Sequence, residues 1–94
     1  MLSYKAAFYI HDDGVSVQAL DFPAVLSSGK DVDEARMMIR SALVEMVQYF
    51  IETGRVIPLP NAALNDPEAD FVEPLALVLE AISPDAKIPA EAGV

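Results

Sequence analysis

The stretch LDFPAVLSSGKDVDEARMM (Leu20–Met38) decides the fold, because it contains a strand end, a short strand and the start of a long helix. Pro23 cannot donate a hydrogen bond to a strand ladder, and Phe22 before it is held extended. The preceding strand is therefore expected to end at Leu20, and Asp21-Phe22-Pro23 breaks it. The residues from Ala24 to Ser28 are predicted to form a short third strand, which Gly29 ends by letting the chain turn.

The helix is predicted to begin at Asp31, whose carboxylate can cap the free backbone N–H groups of the first turn. Glu34 follows three residues later, as in a capping box. The pattern runs to about Thr53, and Gly54 is a typical stop signal. Apolar residues that recur every three or four positions predict one broad buried stripe, formed by Ala35, Met38, Ile39, Ala42, Leu43, Met46, Val47 and Phe50.

Two strands are predicted before this stretch. In Tyr4–Ile10 apolar residues alternate with the other side chains, and Val15–Leu20 alternates again. Between them, Asp13-Gly14 is a strong turn signal, because glycine accepts positive φ at no steric cost. The third strand can fold back on the second, which gives a three-stranded antiparallel meander.

After the helix, Arg55–Pro60 (RVIPLP) is expected to be an extended, proline-stiffened exit, and Asn61–Asp70 a polar loop or helical turn. The segment Leu75–Ile82 (LALVLEAI) is ambiguous. Its near-continuous apolar run suits a buried strand, whereas its leucine and alanine content, with Pro74 as a possible first helical residue, suits a helix. A strand is favoured, because the sheet benefits from one more strand.

The chain has 94 residues, enough for one domain. The element order predicts an α+β fold, β-β-β-α-β, with the long helix packed on the sheet. The domain is predicted to span residues 1–82, with residues 83–94 as a flexible C-terminal tail.

The net charge of −9 argues against direct binding of nucleic acid, because binding to the phosphate backbone needs lysine and arginine. An acidic surface instead serves solubility or attracts a basic protein. The absence of cysteine fits a reducing compartment, and the N-terminal apolar run is too short for a signal or a membrane span. A cytoplasmic protein is expected.

Hydrophobic residues make up 53% of the sequence, which is high for so short a chain. The surplus predicts apolar surface buried against a second copy, in a homodimer or a higher even-numbered oligomer. Met37, Val44 and Ile51 lie off the helix stripe and form a candidate contact strip. The alternatives are a tightly packed monomer and three half-exposed surface positions.

Few residues suggest catalysis. His11 stands alone at the hairpin turn, which indicates a surface residue rather than a base or a metal ligand. Asp12, Asp13 and Asp21 could converge on a metal ion, as in a metal-dependent nuclease. Ordinary turn chemistry is the favoured explanation, because the side chains of the neighbours Asp12 and Asp13 diverge along an extended chain.

The chain also has no glycine-rich phosphate loop and no nucleophile elbow. Arg36 and Arg40 could hold an anion, or be solvated, or pair with acids such as Glu45. Glu68, Asp70 and Glu73 are expected to form a solvated acidic face. We predict no enzymatic activity and no cofactor.

The ordered set of motifs resembles the N-terminal domain of the HicB antitoxin family. Asp21-Phe22-Pro23 matches that family's Asp-Leu/Phe-Pro, and Gly29 matches the glycine before its helix. Glu34-Ala35 matches the Glu-Ala pair at the helix start. The exit after the helix also matches, through Gly54, Ile57, Pro58 and Pro60. Ala24-Val25 stands where the family has Gly-Cys, so the turn after Pro23 is expected to differ slightly.

The resemblance implies a partial ribonuclease-H-like fold and a non-enzymatic antitoxin that dimerises and masks a small basic, HicA-like toxin that cleaves messenger RNA. Members often carry a C-terminal DNA-binding domain, for which the 12 residues after Ile82 are too few. Exposed turns are the expected partner contacts, at His11, Asp12, Asp13, Asp21, Phe22 and Pro23. The alternatives are a stand-alone oligomeric small-ligand-binding or adaptor domain and the metal-dependent nuclease.

Overall fold

The computed structural model describes residues 1–78 as a four-stranded antiparallel sheet with one helix on one face. The elements are β1 (Leu2–His11), β2 (Gly14–Ala19), β3 (Leu26–Gly29), α1 (Val32–Glu52) and β4 (Phe71–Leu77). The spatial order of the strands is β3-β2-β1-β4. The predicted α+β class, the β-β-β-α-β order and the meander of the first three strands are confirmed.

The hairpin between β1 and β2 is tighter than the sequence indicated. His11 pairs with Gly14, so Asp12 and Asp13 alone form the turn. Gly14 has φ 155°, a backbone conformation that favours glycine. The Asp-Gly turn signal therefore located the hairpin correctly, and β1 extends beyond the predicted Tyr4–Ile10 at both ends.

The corner after β2 is closed by backbone hydrogen bonds. The Ala19 N–H donates to the Val25 carbonyl at 3.0 Å, and the Val25 N–H donates to the Phe22 carbonyl at 2.7 Å. These bonds hold Pro23 at the apex of a tight turn. β3 therefore begins at Leu26, two residues later than predicted.

The helix has the predicted caps. The Glu34 N–H donates to Asp31 Oδ1, and Glu34 Oε1 accepts the Lys30 N–H, both at 2.9 Å. At the other end Gly54 has φ 69°, as expected of a helix stop. Each cap satisfies backbone groups that the helix leaves unpaired, so the predicted bounds are confirmed to within about a residue.

The buried stripe of α1 differs in detail from the prediction. Its fully buried residues follow one row at four-residue steps, Ala35, Ile39, Leu43 and Val47. Met38 is 47% exposed, although it was predicted to be buried. Val44 and Ile51 pack against the core, contrary to the predicted contact strip, whereas Met37 is exposed. The buried side of the helix is therefore offset slightly from the side that the periodic pattern predicts, because the sheet beneath the helix sets which side is covered.

β4 confirms the preference for a strand over a helix, but it begins at Phe71 rather than at Leu75. It contains Pro74, which the helix alternative took as a possible first helical residue. The strand tolerates Pro74 because β4 lies at an edge of the sheet, where a proline can turn its missing N–H away from the ladder. Residues 79–82 of the predicted strand, and the predicted tail 83–94, lie outside the described residues.

The segment 61–70 forms the predicted polar loop, and the structure gives it a second role. Lys5 Nζ, which faces away from the helix, donates to the Ala62 and Leu64 carbonyls at 2.7 and 3.1 Å. Ala7, on the same face of β1, has 0% exposure. The loop therefore covers the middle of the second face of β1, where Ala7 is buried and Lys5 is partly buried.

Candidate partner-binding site

The six predicted contact residues lie at opposite ends of β2. His11, Asp12 and Asp13 flank its start, and the Asp21–Pro23 corner follows its end. The six residues of β2 separate the two groups by about 20 Å at roughly 3.3 Å per residue. We call them the hairpin end and the corner end of the sheet, and they are two separate surfaces.

At the corner end, Phe22 belongs to the core. It is 5% exposed, and its ring meets those of Tyr4 and Phe50 edge-on at centroid distances of 5.1 and 5.8 Å. Pro23 beside it is exposed. The two neighbours in sequence therefore differ in role, since only Pro23 offers its side chain to a partner.

Asp21 joins the corner to the segment after the helix. Its Oδ1 accepts the Asn61 N–H at 2.8 Å, while its buried Oδ2 has no hydrogen-bond partner among the described residues. Nearby, the Tyr4 hydroxyl donates to the Pro58 carbonyl at 2.6 Å. Burial, and then the negative charge of Asp21, raise the pKa of Tyr4 to about 12. These bonds hold the exit segment against the corner.

A shallow groove of about 350 Å³ opens beside this corner. It is lined by Asp21, Phe22, Pro23, Ala24, Met46, Tyr49, Phe50, Arg55 and Pro58. The guanidinium of Arg55 lies 5.4 Å from the centre of the Tyr49 ring, within cation–π range. The groove is mainly apolar, and among the lining residues within 1–78 the half-buried Asp21 is the one acid.

At the hairpin end the structure adds acids that the sequence did not connect to the turn. The Ile10 N–H donates to Asp70 Oδ2 at 2.6 Å, and the Tyr9 hydroxyl donates to Asp66. Desolvation, this hydrogen bond and the charges of Asp66 and Glu68 raise the pKa of Tyr9 to about 12. The acidic loop therefore lies beside the strand that leads into the Asp12-Asp13 turn.

Nothing at either end forms a metal site within residues 1–78, where no three acidic or histidine side chains are placed to hold an ion. Asp21 lies at the far end of β2 from Asp12 and Asp13, so the three carboxylates do not converge as the nuclease alternative requires. His11 is exposed, with Nε2 3.0 Å from Ser16 Oγ. The structure gives the nuclease alternative no support.

Glu73 corrects a prediction, because it lies in β4 and not on a solvated acidic face. Arg36 donates to it twice, from Nε at 2.7 Å and from Nη2 at 2.9 Å, and a third bond joins Arg36 to Asp33 at 2.8 Å. The hydrogen bonds from Arg36 hold the pKa of Glu73 below its usual range, although partial burial opposes them. Arg36 is thus engaged in tying α1 to β4, and it is not an open anion grip.

The comparisons with known proteins agree with this architecture. The crystal structure of the Burkholderia pseudomallei antitoxin HicB matches with a TM-score of 0.77 and 22% identity, over 93% of this chain and 71% of that one. The crystal structure of the N-terminal domain of the same antitoxin matches with a TM-score of 0.71 and 23% identity, over 82% and 99%. At these identities the likeness shows a shared fold.

Among curated proteins there is no match. In the part of the chain that the structure describes, no helix combines the length and apolar character needed to cross a membrane. Residues 3–73 match the family model described as HicB_like antitoxin of bacterial toxin-antitoxin system. That match covers well over half of the sequence, and the chain therefore belongs to the HicB-like antitoxin family.

Proposed function

We propose that this protein is a non-enzymatic antitoxin that binds and masks a small basic, RNA-cleaving toxin. The observation that carries the proposal is the family match over residues 3–73. The net charge of −9 supports it, because an acidic protein attracts a basic partner over a distance and speeds their encounter. Masking needs only a stable complex, so the protein requires no catalytic group of its own.

The hairpin end is the proposed centre of the contact. Asp12 and Asp13 are exposed there, and Glu68 and Asp70 lie in the neighbouring loop and are also exposed. Ile10, with 56% of its surface exposed, adds an apolar side chain beside these acids. A ring of charge around an apolar contact is a common arrangement in protein interfaces. His11 lies within this surface.

At the corner end, Asp21 and Pro23 are the proposed secondary contacts. Pro23 is exposed, and Asp21 lines the groove together with the aromatic ring of Tyr49. A basic side chain that reaches the groove would approach the Asp21 carboxylate, whereas the Tyr49 ring is already in contact with Arg55. Phe22 contributes by shaping the floor of this groove, because its ring is buried.

A matched pair of charge reversals tests which surface binds. Asp12→Lys at the hairpin end and Glu52→Lys at the end of α1 alter the net charge equally, and both positions are exposed. The toxin to use is a small basic protein whose gene lies next to the gene of this protein. Titration calorimetry at low and moderate salt measures its affinity for each variant. We expect Asp12→Lys to weaken binding at least tenfold, and Glu52→Lys to weaken it much less.

Equal losses for the two variants would show that only net charge matters and would overturn the hairpin-end assignment. The antitoxin proposal itself fails if the native protein forms no complex with a neighbouring toxin and does not protect messenger RNA from it. The proposal also includes self-association into a homodimer or a higher even-numbered oligomer. Sedimentation equilibrium of the purified protein at micromolar concentration measures that state directly.

A further inference from the structure

The two edges of the sheet are built differently. Along a strand, successive residues direct their backbone groups to alternate sides. In β1 the even-numbered residues direct their backbone N–H and C=O groups towards β4, because the Lys5 carbonyl points to β2. The resulting pairs with β4 are Tyr4–Leu75, Ala6–Glu73 and Phe8–Phe71. The intervening residues of β4, at 72, 74 and 76, therefore direct their backbone groups outward. Pro74 is the middle one, and its missing N–H interrupts this edge, which is a common way to prevent strands from adding.

The other edge, formed by β3, has no such protection. The Ala19 N–H donates to the Val25 carbonyl, which shows that the odd-numbered residues of this segment direct their backbone groups towards β2. The N–H and C=O groups of Leu26 and Ser28 therefore point away from the sheet. The strand Leu26–Gly29 has the sequence LSSG, with no proline and no charge. Within residues 1–78 no backbone partner engages these outward donors and acceptors, so they can pair with another strand.

Apolar surface flanks this open edge. Leu26 is 62% exposed on the face opposite the helix, and Met38 of α1 is 47% exposed. Between β3 and α1 lies a groove of about 330 Å³, lined by Ala24, Val25, Leu26, Ala42, Glu45, Met46 and Tyr49. Of the groove residues that the structure describes, Glu45 alone is charged. The surface is thus poor in charge, whereas the chain as a whole carries −9.

We propose that β3 pairs antiparallel with β3 of a second copy, about a two-fold axis at Ser27, so that two sheets join into one of eight strands. This inference rests on the self-association included in the proposed function and names its surface. The outward groups are self-complementary: Leu26 faces Ser28 of the second copy, and Ser28 faces its Leu26. That pairing uses both N–H and both C=O groups of each edge, giving four hydrogen bonds.

The side chains fit the same pairing. Leu26 and its counterpart lie diagonally across the axis on one face of the sheet, within reach of long side chains. The two α1 helices lie on the other face, where Met38 comes one helical turn before Ala42, which lines the groove beside β3. The axes of packed helices are about 8–10 Å apart. Each α1 lies over β3 and β2, so joining the two β3 edges leaves room for the two helices at that separation. The pairing therefore covers the exposed apolar side chains of both layers.

Charge favours a second copy over a basic partner at this surface. Two chains of net charge −9 repel each other, so they can approach most easily where acids are few. A basic toxin would find more negative charge at the hairpin end.

Cysteine cross-linking tests the pairing on a chain that has no cysteine of its own. The axis sets Ser27 opposite Ser27 of the second copy in a non-hydrogen-bonded pair, with a Cα separation of about 4.5 Å that a disulfide can span. Ser27→Cys should give a disulfide-linked dimer under mild oxidation at micromolar concentration. The control, Ala76→Cys, places a thiol on the proline-interrupted edge and should stay monomeric on a non-reducing gel.

A second pair of variants tests the hydrogen bonds. Ser28→Pro removes an outward N–H at the β3 edge, and Ala76→Pro removes an equivalent outward N–H at the β4 edge. By sedimentation equilibrium, Ser28→Pro should weaken the dimer at least tenfold and Ala76→Pro should not, with circular dichroism confirming that each is folded. If Ser28→Pro does not fold, the cross-linking of Ser27→Cys decides alone.

The outcomes separate this inference from the antitoxin role. A native protein that is monomeric, or a folded Ser28→Pro variant that dimerises as well as the native chain, overturns the β3 pairing. Equal cross-linking of Ser27→Cys and Ala76→Cys does the same. In each of these cases toxin binding in the calorimeter still measures the proposed function independently. A cross-linked dimer that binds no toxin supports the pairing and counts against the antitoxin role.

Discussion

The two ends of the sheet use the same kinds of residue for different purposes. At the corner end, Phe22 is buried between aromatic rings and Asp21 holds the segment after the helix. At the hairpin end, Asp12 and Asp13 form an exposed two-residue turn. A turn that contains aspartate is therefore a structural corner or an open surface according to the packing around it.

The largest effect is expected from truncating the corner. Phe22→Ala removes a buried ring and leaves a cavity between Tyr4 and Phe50, so we expect a loss of about 3–5 kcal/mol in the free energy of unfolding. Urea denaturation measures it. Phe22→Leu is the matched control, because it keeps most of the buried volume and should cost clearly less. A small loss for Phe22→Ala would mean that the corner is not part of the core.

A second variant tests whether β3 and α1 pack closely against each other near the hairpin end. Gly29 ends β3 opposite Val15, and a Cβ there would lie 2.5 Å from the Ala35 nitrogen. Gly29→Ala should therefore destabilise the protein by about 1–3 kcal/mol, because backbone must move. Ser28→Ala, one residue earlier and exposed, is the control. Equal melting temperatures for the two variants would contradict this close approach of β3 and α1.

The alkaline limb of the stability curve compares the ends through their tyrosines. The pKa values of Tyr4 at the corner and Tyr9 near the hairpin are both raised to about 12. The folded protein keeps protons that the unfolded chain releases near pH 10, so stability is full below pH 10 and falls as the pH rises towards 12. For the more deeply buried Tyr4 we expect a loss on the order of 1–2 kcal/mol.

Denaturation at pH 9 and pH 11.5 measures this fall, and Tyr4→Phe and Tyr9→Phe divide it between the two ends. Tyr4→Phe should reduce the fall more, because Tyr4 is 1% exposed while Tyr9 is partly accessible. A native stability that stays constant between the two pH values would show that neither hydroxyl is held in its protonated form.

The smallest effect on stability is expected at the hairpin turn. Asp12→Asn and Asp13→Ser keep turn-forming side chains and remove only exposed charge, so each should change the free energy of unfolding by less than about 0.5 kcal/mol. Thermal melts check this. A loss of more than about 1 kcal/mol would show that these aspartates stabilise the fold, as Asp21 does at the corner end.

Much of the fold was predictable because its signals are local. Asp31 and Glu34 cap α1, and Gly54 ends it, through contacts within a few residues of the chain. The Asp13-Gly14 turn likewise needs no distant partner. The errors arose where the deciding contact is far away in sequence, as for Met38, whose exposure depends on where the helix lies over the sheet.

The candidate site was predictable only in part. The sequence indicated that the turns were the exposed segments, and it ranked Asp12, Asp13 and Asp21 together. It contained no signal that β2 would hold Asp21 apart from the other two, or that Asp66 and Asp70 would join the hairpin end. Those placements depend on hydrogen bonds between residues about 60 positions apart, from Tyr9 and Ile10 to the late loop.

Signals local to the amino-acid sequence specify the order of the elements, the caps of the helix and the hairpin turn, and the composition sets the net charge of −9. Tertiary structure alone decided that Phe22 is core, that Glu73 binds Arg36, and that the edge closed by Pro74 differs from the open edge of β3. The physical reason is range. Capping and turn formation depend on neighbours along the chain, whereas burial, ion pairing and edge exposure depend on which strands meet.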